Sequence, residues 1–146
     1  MPSASGGGSA LVLDTHVWVW LLDGLAERLS ARCIAALRRG SNEGRLYVSP
    51  ISVWEIGTLV AKGRLGLSME LRAWVERGLS APGVRLAPFT PAIAMDSTQL
   101  PGATHGDPAD RILIATARNL GGALVTRDAA LIRYGKAGHV GVMDAA

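Results

Sequence analysis

Residues 107–128 read DPADRILIATARNLGGALVTRD, and this stretch decides the architecture. Asp107 suits an N-cap. Pro108 suits the first helical position, where its missing N–H costs no hydrogen bond. Asp110 falls in the first turn, at the positive end of the helix dipole. Ile112, Leu113, Ile114, Ala115, Ala117 and Leu120 continue as an apolar helix, and Gly121 with Gly122 stops it. Ala123-Leu124-Val125 then reads as a short strand that delivers Thr126-Arg127-Asp128. A helix feeding a strand through a glycine turn is a building block of α/β architecture, and here it carries carboxylates at both ends.

The same alternation runs through the rest of the chain. Ala10 to Leu13 reads as a buried strand ending at Asp14, followed by a helix from Thr15 to Leu22 whose Trp18 and Trp20 are expected in the core. A second helix is predicted from Ala26 to Arg39, a turn from Gly40 to Gly44, and a strand from Leu46 to Val48. Ser49-Pro50 opens a third helix that reaches Lys62 and ends at Gly63. A fourth helix is expected from Ser68 to Gly78, a strand from Val84 to Ala87 and a short helix from Pro91 to Ser97. A loop runs from Leu100 to Gly106. Beyond Asp128, a short helix from Ala129 to Arg133 and an edge strand from Val140 to Met143 complete the chain. Strands alternating with helices predict one α/β domain: a mostly parallel central sheet of four to five strands flanked by helices. That domain is expected over residues 10–146, with residues 1–9 as a flexible leader.

Composition narrows the classes. Hydrophobic residues make up 49% of the 146 and charged ones 18%, which suits a globular chain with a substantial core and excludes a disordered one. The longest apolar run, Val17 to Leu22, is far short of the ~20 residues that span a bilayer. The N-terminal stretch has neither the basic nor the apolar region of a signal peptide. Cys33 is the single cysteine, so no internal disulfide forms, which fits a reducing cytoplasm. The net charge of +3 permits a polyanionic partner without requiring one.

Four carboxylates stand out by placement: Asp14, Glu55, Asp110 and Asp128. Each also has a local reading. Asp14 and Asp128 suit N-caps, Ser52-Val53-Trp54-Glu55 matches a capping box, and Asp110 answers the helix dipole. Ser49 competes as the cap of the third helix, which would release Glu55. Asp107 is the best N-cap in the chain. In an open parallel sheet, however, ligands bind beyond the carboxyl ends of the strands. Asp14 and Asp128 follow strand ends, and Glu55 and Asp110 are expected in the first turns of helices at that edge. Carboxylates gathered there repel one another, and a divalent cation relieves the conflict. An all-oxygen donor set points to Mg²⁺ or Mn²⁺ rather than Zn²⁺. Such a site suits water activation in phosphodiester cleavage.

Around these acids, Thr15 and Thr126 are placed to hydrogen-bond a ligand carboxylate or a bound water. His16 and His105 are weaker candidates for moving a proton. Arg111 and Arg118, seven residues apart, share a helix face that would meet RNA phosphate, a partner or solvent. The chain has no P-loop, dinucleotide fingerprint, nucleophile elbow or zinc spacing. An aspartyl phosphatase would place a second Asp two residues after Asp14, where His16 stands. A receiver-like domain would want a strand-end lysine, and Lys62 and Lys136 sit poorly for it. A non-catalytic interaction module would not need all four acids.

The segments LVLDTHVWVWLLDG (11–24), SPISVWEIGTLVAKGRLGL (49–67) and HGDPADRILIATARNLGGALVTRDAALIRYG (105–135) closely resemble the PIN-domain family, in particular VapC-type toxins of bacterial toxin–antitoxin pairs. The likeness spans Leu11 to Gly135, with the motifs in family order. The family carries its acids in an Asp-Thr after the first strand, a Glu in an S-x-W-E-like helix, an Asp opening a D-x-L-I-A-type helix, and an Asp or Asn after the fourth strand. These motifs fall on Asp14, Glu55, Asp110 and Asp128, with Asp107 as a further acid of the third. The resemblance implies a Mg²⁺-dependent endoribonuclease, with Mn²⁺ able to substitute, that cuts structured RNA such as tRNA or rRNA. It also implies a homodimer and a cognate VapB-type antitoxin that blocks the acidic groove.

Overall fold

A computed structural model describes residues 8–102 and 106–146. Strand β1 (Leu11–Leu13) leads into α1 (Thr15–Leu22), a single 3₁₀ turn (Ala26–Arg28) and α2 (Ala31–Asn42). Then come β2 (Leu46–Val48), α3 (Pro50–Ala61), α4 (Leu71–Leu79), β3 (Val84–Leu86) and α5 (Pro91–Ser97). The chain closes with α6 (Pro108–Leu120), β4 (Ala123–Thr126), α7 (Ala129–Lys136) and β5 (Gly141–Asp144). Five strands form one sheet in the order β3-β2-β1-β4-β5, and every neighbouring pair is parallel. This is the α/β domain the sequence predicts. Among the described residues no helix is long and apolar enough to cross a membrane. Most of the leader expected over residues 1–9 lies outside the described residues.

A parallel sheet needs cover on both faces, because its crossover helices lie on both. Successive strand residues point to opposite faces, and the core divides accordingly. Leu11, Leu13 and Val125 join Val17, Trp18, Ile56 and Trp74 on one side. Val12 and Leu124 join Leu113, Ile114 and Leu131 on the other. Leu113 and Ile114 are fully buried. Each such side chain contributes roughly 1.5–3 kcal/mol. Their burial seats α6 against the sheet, and so fixes where its first turn emerges.

The glycine pair after α6 has two separate jobs. Gly121 caps the helix with φ 64°, a left-handed conformation open to glycine at little cost. Gly122 permits a close approach, since a Cβ there would lie 2.2 Å from the Ala10 carbonyl oxygen. That carbonyl accepts from the Ala123 amide at 2.9 Å, which starts the β1–β4 pairing.

Several boundaries differ from the sequence reading. The helix predicted from Ala26 to Arg39 is divided, because Ser30 is an extended N-cap whose hydroxyl accepts from the Cys33 amide at 3.0 Å. The restarted helix runs on to Asn42, through the turn expected at Gly40. Gly40 is a packing glycine: a Cβ on it would meet Leu46 Cδ2 at 2.7 Å. The fourth helix begins at Leu71, not Ser68, because Glu70 caps it by accepting from the Arg72 and Ala73 amides. Strand β3 stops at Leu86, one residue short of the prediction, while α7 reaches Lys136, three residues beyond it.

Candidate active site at the carboxyl edge of the sheet

From β1 the chain moves outward to β2 and β3, whereas β4 and β5 add on the other side of β1. The strand order therefore reverses between β1 and β4. At such a point the crossovers diverge to opposite faces and leave a crevice beyond the carboxyl ends. Asp14 directly follows β1, and Asp128 stands two residues past β4.

Two buried threonines organise this crevice. Thr126, the last residue of β4, donates its hydroxyl to Asp14 Oδ2 at 2.7 Å and accepts the Asp128 amide at 2.9 Å. Asp14 Oδ1 takes the Thr15 amide at 2.8 Å. Thr15 Oγ1 lies 2.5 Å from Glu55 Oε1 and 2.9 Å from Ser52 Oγ. A hydroxyl has one proton, so the consistent assignment is that Thr15 donates to the carboxylate and Ser52 donates to Thr15. Thr15, Ser52 and Thr126 are all buried. Two chains of hydrogen bonds thus hold the Asp14 and Glu55 carboxylates, and among the described residues the donors are hydroxyl and amide groups.

Local structure frees Glu55 for this role. Ser49 caps α3 by accepting from the Ile51 amide at 3.1 Å, so the capping box centred on Ser52 does not form. Glu55 is the sixth residue of α3, in its second turn rather than the first. At the start of α6, Asp107 Oδ1 accepts from the Ala109 amide at 2.8 Å, which makes Asp107 the N-cap. Asp110 follows one turn in, half-buried. Asp128 Oδ1 caps α7 through the Ala130 and Leu131 amides. A carboxylate has two oxygens and about four acceptor sites. A cap bond through one oxygen is therefore compatible with a second role.

Electrostatics shows which acids converge. Burial, and then the charges of Asp107, Asp14, Asp128 and Glu55, push the Asp110 carboxyl up to about 8. Asp14 is also raised: burial outweighs the hydrogen bonds from Thr126 and Thr15 and the influence of His16, while Asp128 adds to the rise. Four carboxylates thus bear on a fifth at this edge. An oxygen-binding divalent cation fits such a cluster of acids. Among the described residues no three Asp, Glu, His or Cys side chains form a ready-made cage. An ion held here would take part of its coordination from water.

Two hollows border the acids. One of about 320 Å³ is lined by Asp14, His16, Val17, Trp20, Arg127 and Asp128. The other, of about 410 Å³, lies between α3 and α6, with Glu55, Trp54, Lys62 and Asp107 in its wall. His16 is exposed, with its ring centroid 5.9 Å from that of Trp20. His105 lies outside the described residues. Arg118 donates to the His139 carbonyl near the other end of α6. That is ~12 Å along the helix axis from Asp110, so Arg118 is not part of the cluster. Arg111 adjoins Asp110 in the first turns.

Three neighbours escaped the sequence reading. Ser52 was readable only as a capping residue, although its i, i+3 spacing puts it on the face of Glu55. Trp20 was expected in the core with Trp18. Trp18 is indeed buried, but Trp20 is only partly so and faces the hollow beside Asp14. Arg127 sits between the two residues that organise the strand end, a position that was itself a signal.

The profile of the PIN domain matches residues 11–137, and the chain belongs to the PIN-domain family. It is 34% identical over 120 residues to Ribonuclease VapC22 of Mycobacterium tuberculosis, a match covering 82% of this chain and 88% of that one. Its fold resembles chains in the crystal structures of VapBC2 from Rickettsia felis bound to a promoter DNA fragment and of FitAcB from Neisseria gonorrhoeae. The first match has a TM-score of 0.67 at 15% identity and covers 92% of this chain and 98% of that one. The second has a TM-score of 0.57 at 23% identity and covers 92% and 96%.

Proposed function

We propose that the chain is a VapC-type endoribonuclease toxin that uses Mg²⁺, or Mn²⁺ in its place, to cleave structured RNA such as tRNA or rRNA in the cytoplasm. It acts as a homodimer and is held in check by a cognate VapB-type antitoxin over the acid cluster. The similarity to Ribonuclease VapC22 supports the class of activity, and the likeness of fold to chains of the VapBC2 and FitAcB structures supports the class of partner. The observation that carries the metal requirement is the Asp110 carboxyl, raised by burial and then by four other acids.

The residues divide the work. Asp14, Glu55, Asp110 and Asp128 would hold the ion, with Asp107 mainly occupied in starting α6. Bound there, a divalent ion supplies Lewis acidity and lowers the pKa of water at the scissile phosphate. Thr126 and Thr15 fix the Asp14 and Glu55 carboxylates by donating to them, so that neither has to reorganise during cleavage. Asp110 gives up a proton to solvent when a cation arrives, because its carboxyl is largely neutral near pH 7 without one.

The test is cleavage of purified tRNA and rRNA with Mg²⁺ or with excess chelator. Fragments are expected only with the metal, and none from Asp110→Asn. Undiminished cleavage in chelator would overturn the reading.

A further inference from the structure

The hollow beside Asp14 and Asp128 carries more than acids. Trp20 lines it, and two guanidinium groups lie over its ring. Arg28 Cζ is 5.8 Å from the ring centroid and Arg127 Cζ is 5.7 Å. Arg127 Nη1 donates to the Arg28 carbonyl at 3.0 Å, which anchors the guanidinium at the rim. A guanidinium has five N–H donors, so it can hold that carbonyl and a phosphate oxygen together.

We propose that this hollow is a nucleotide subsite, in which Trp20 takes a base of single-stranded RNA next to the scissile phosphate and Arg127, backed by Arg28, takes the adjoining phosphate. The assignment rests on the reading of the chain as a ribonuclease and adds to it the residues that position the strand.

Four points converge on it. The hollow holds about 320 Å³ and shares its wall with two of the cluster acids, so a nucleotide there would adjoin the acid centre. The acid cluster repels a polyanion, and a strand approaching it needs cationic groups close by. Arg127 is flanked in sequence by Thr126 and Asp128, so its backbone is pinned by the same strand end that places Asp14 and Asp128. Trp20 also departs from the other inner tryptophans: Trp18 and Trp74 pack edge to face in the core, 4.8 Å between centroids, whereas Trp20 is half-buried, packing against that core while also lining the hollow. An aromatic ring combined with arginine is how single-stranded nucleic acid is gripped without sequence readout, since a base can stack on either the ring or a guanidinium plane.

The test separates binding from cleavage. A fluorescein-labelled ten-nucleotide RNA of mixed sequence is titrated, by anisotropy and with Mg²⁺ present, against the full chain carrying Asp110→Asn to prevent turnover. Trp20→Ala, Trp20→Phe and Arg127→Gln are added singly to that background. Trp20→Ala and Arg127→Gln are expected to weaken binding roughly tenfold, and Trp20→Phe by no more than about threefold, because the ring face survives. Arg127→Gln should also flatten the log–log salt dependence by about 0.7, the share of one phosphate contact. In the chain with Asp110 intact, the same substitutions should raise KM with kcat within about threefold, the mark of uniform binding. Arg127→Gln lies on an exposed loop and Trp20→Phe keeps an aromatic ring, so folded protein is available for both. Unchanged affinity and salt slope in Arg127→Gln, with RNA still cleaved, would overturn the subsite and leave the ribonuclease reading standing. Binding that depends on Arg127 and Trp20 in a chain that cleaves no RNA would uphold the subsite and overturn the ribonuclease reading.

Discussion

The Thr126 hydroxyl joins Asp14 to the end of β4: it donates to Asp14 Oδ2 at 2.7 Å while accepting from the Asp128 amide at 2.9 Å. One buried oxygen thus sets the position of two acids that lie 114 residues apart by number (128 minus 14). Thr126→Val keeps the shape of the side chain and removes both bonds. It is expected to lower metal affinity and RNA cleavage by about 10- to 100-fold, the usual cost of losing a partner that orients a ligand. Stability should fall by about 1–3 kcal/mol, because the half-buried Asp14 loses a donor. Chemical denaturation together with a cleavage assay checks both.

Asp110 gives the metal-free protein a distinctive pH dependence. Its carboxyl is raised to about 8 in the fold against an ordinary value of 3.8, so between these limits the folded state binds the extra proton. A group raised in this way contributes stability fully present below pH 4, and that stability is lost as pH rises through about 8. Asp110→Asn removes the ionisation. In the presence of chelator, its melting temperature relative to wild type should climb between pH 5 and pH 8.5. A difference that is flat or falls with pH would show that burial and the neighbouring acids do not raise the Asp110 carboxyl.

Asp107 and Asp110 should separate by substitution. Asp107→Asn retains the side-chain oxygen that caps α6, so stability and most of the cleavage activity should survive. Asp107→Ala should cost about 0.5–2 kcal/mol through the lost cap. Asp110→Asn should abolish cleavage while the protein stays folded. Thermal melts and cleavage rates on the three variants decide the matter. Loss of activity in Asp107→Asn equal to that in Asp110→Asn would make Asp107 a ligand in its own right.

The turn between α6 and β4 depends on contact rather than on flexibility alone. Gly122→Ala places a methyl 2.2 Å from the Ala10 carbonyl oxygen, against backbone that cannot easily move aside. A loss of at least about 1–3 kcal/mol is expected, in the range of overpacked cores. Unchanged denaturation would mean that the start of β1 shifts without penalty.

What the sequence discloses follows the range of each signal. Asp107-Pro108 and Gly121-Gly122 act within a few residues, and the ends of α6 are where those residues place them. Ser30 acts over the same short range, yet the helical composition on both sides of it hides the break that its cap creates. Gly40 resembles a turn residue until Leu46 is known to pack on it. At the site, the chain shows which acids follow strands, and that Thr15 is placed to bind a carboxylate. It does not show that the carboxylate is Glu55, forty residues away, instead of the adjacent Asp14. Helix α1 is apolar around most of its circumference, so periodicity does not reveal that Trp18 is fully buried while Trp20 is half-buried at the edge of the hollow.

The central claim is that the acids at the carboxyl edge form a divalent-cation site. Calorimetric titration of Mn²⁺ at pH 7.0, in two buffers of different protonation enthalpy, tests it without reference to any substrate. Binding is predicted for the wild type, with net proton release as the raised Asp110 carboxyl ionises, and binding at least tenfold weaker without that release for Asp110→Asn. Equal Mn²⁺ affinity in the two proteins, or binding to neither, would contradict it.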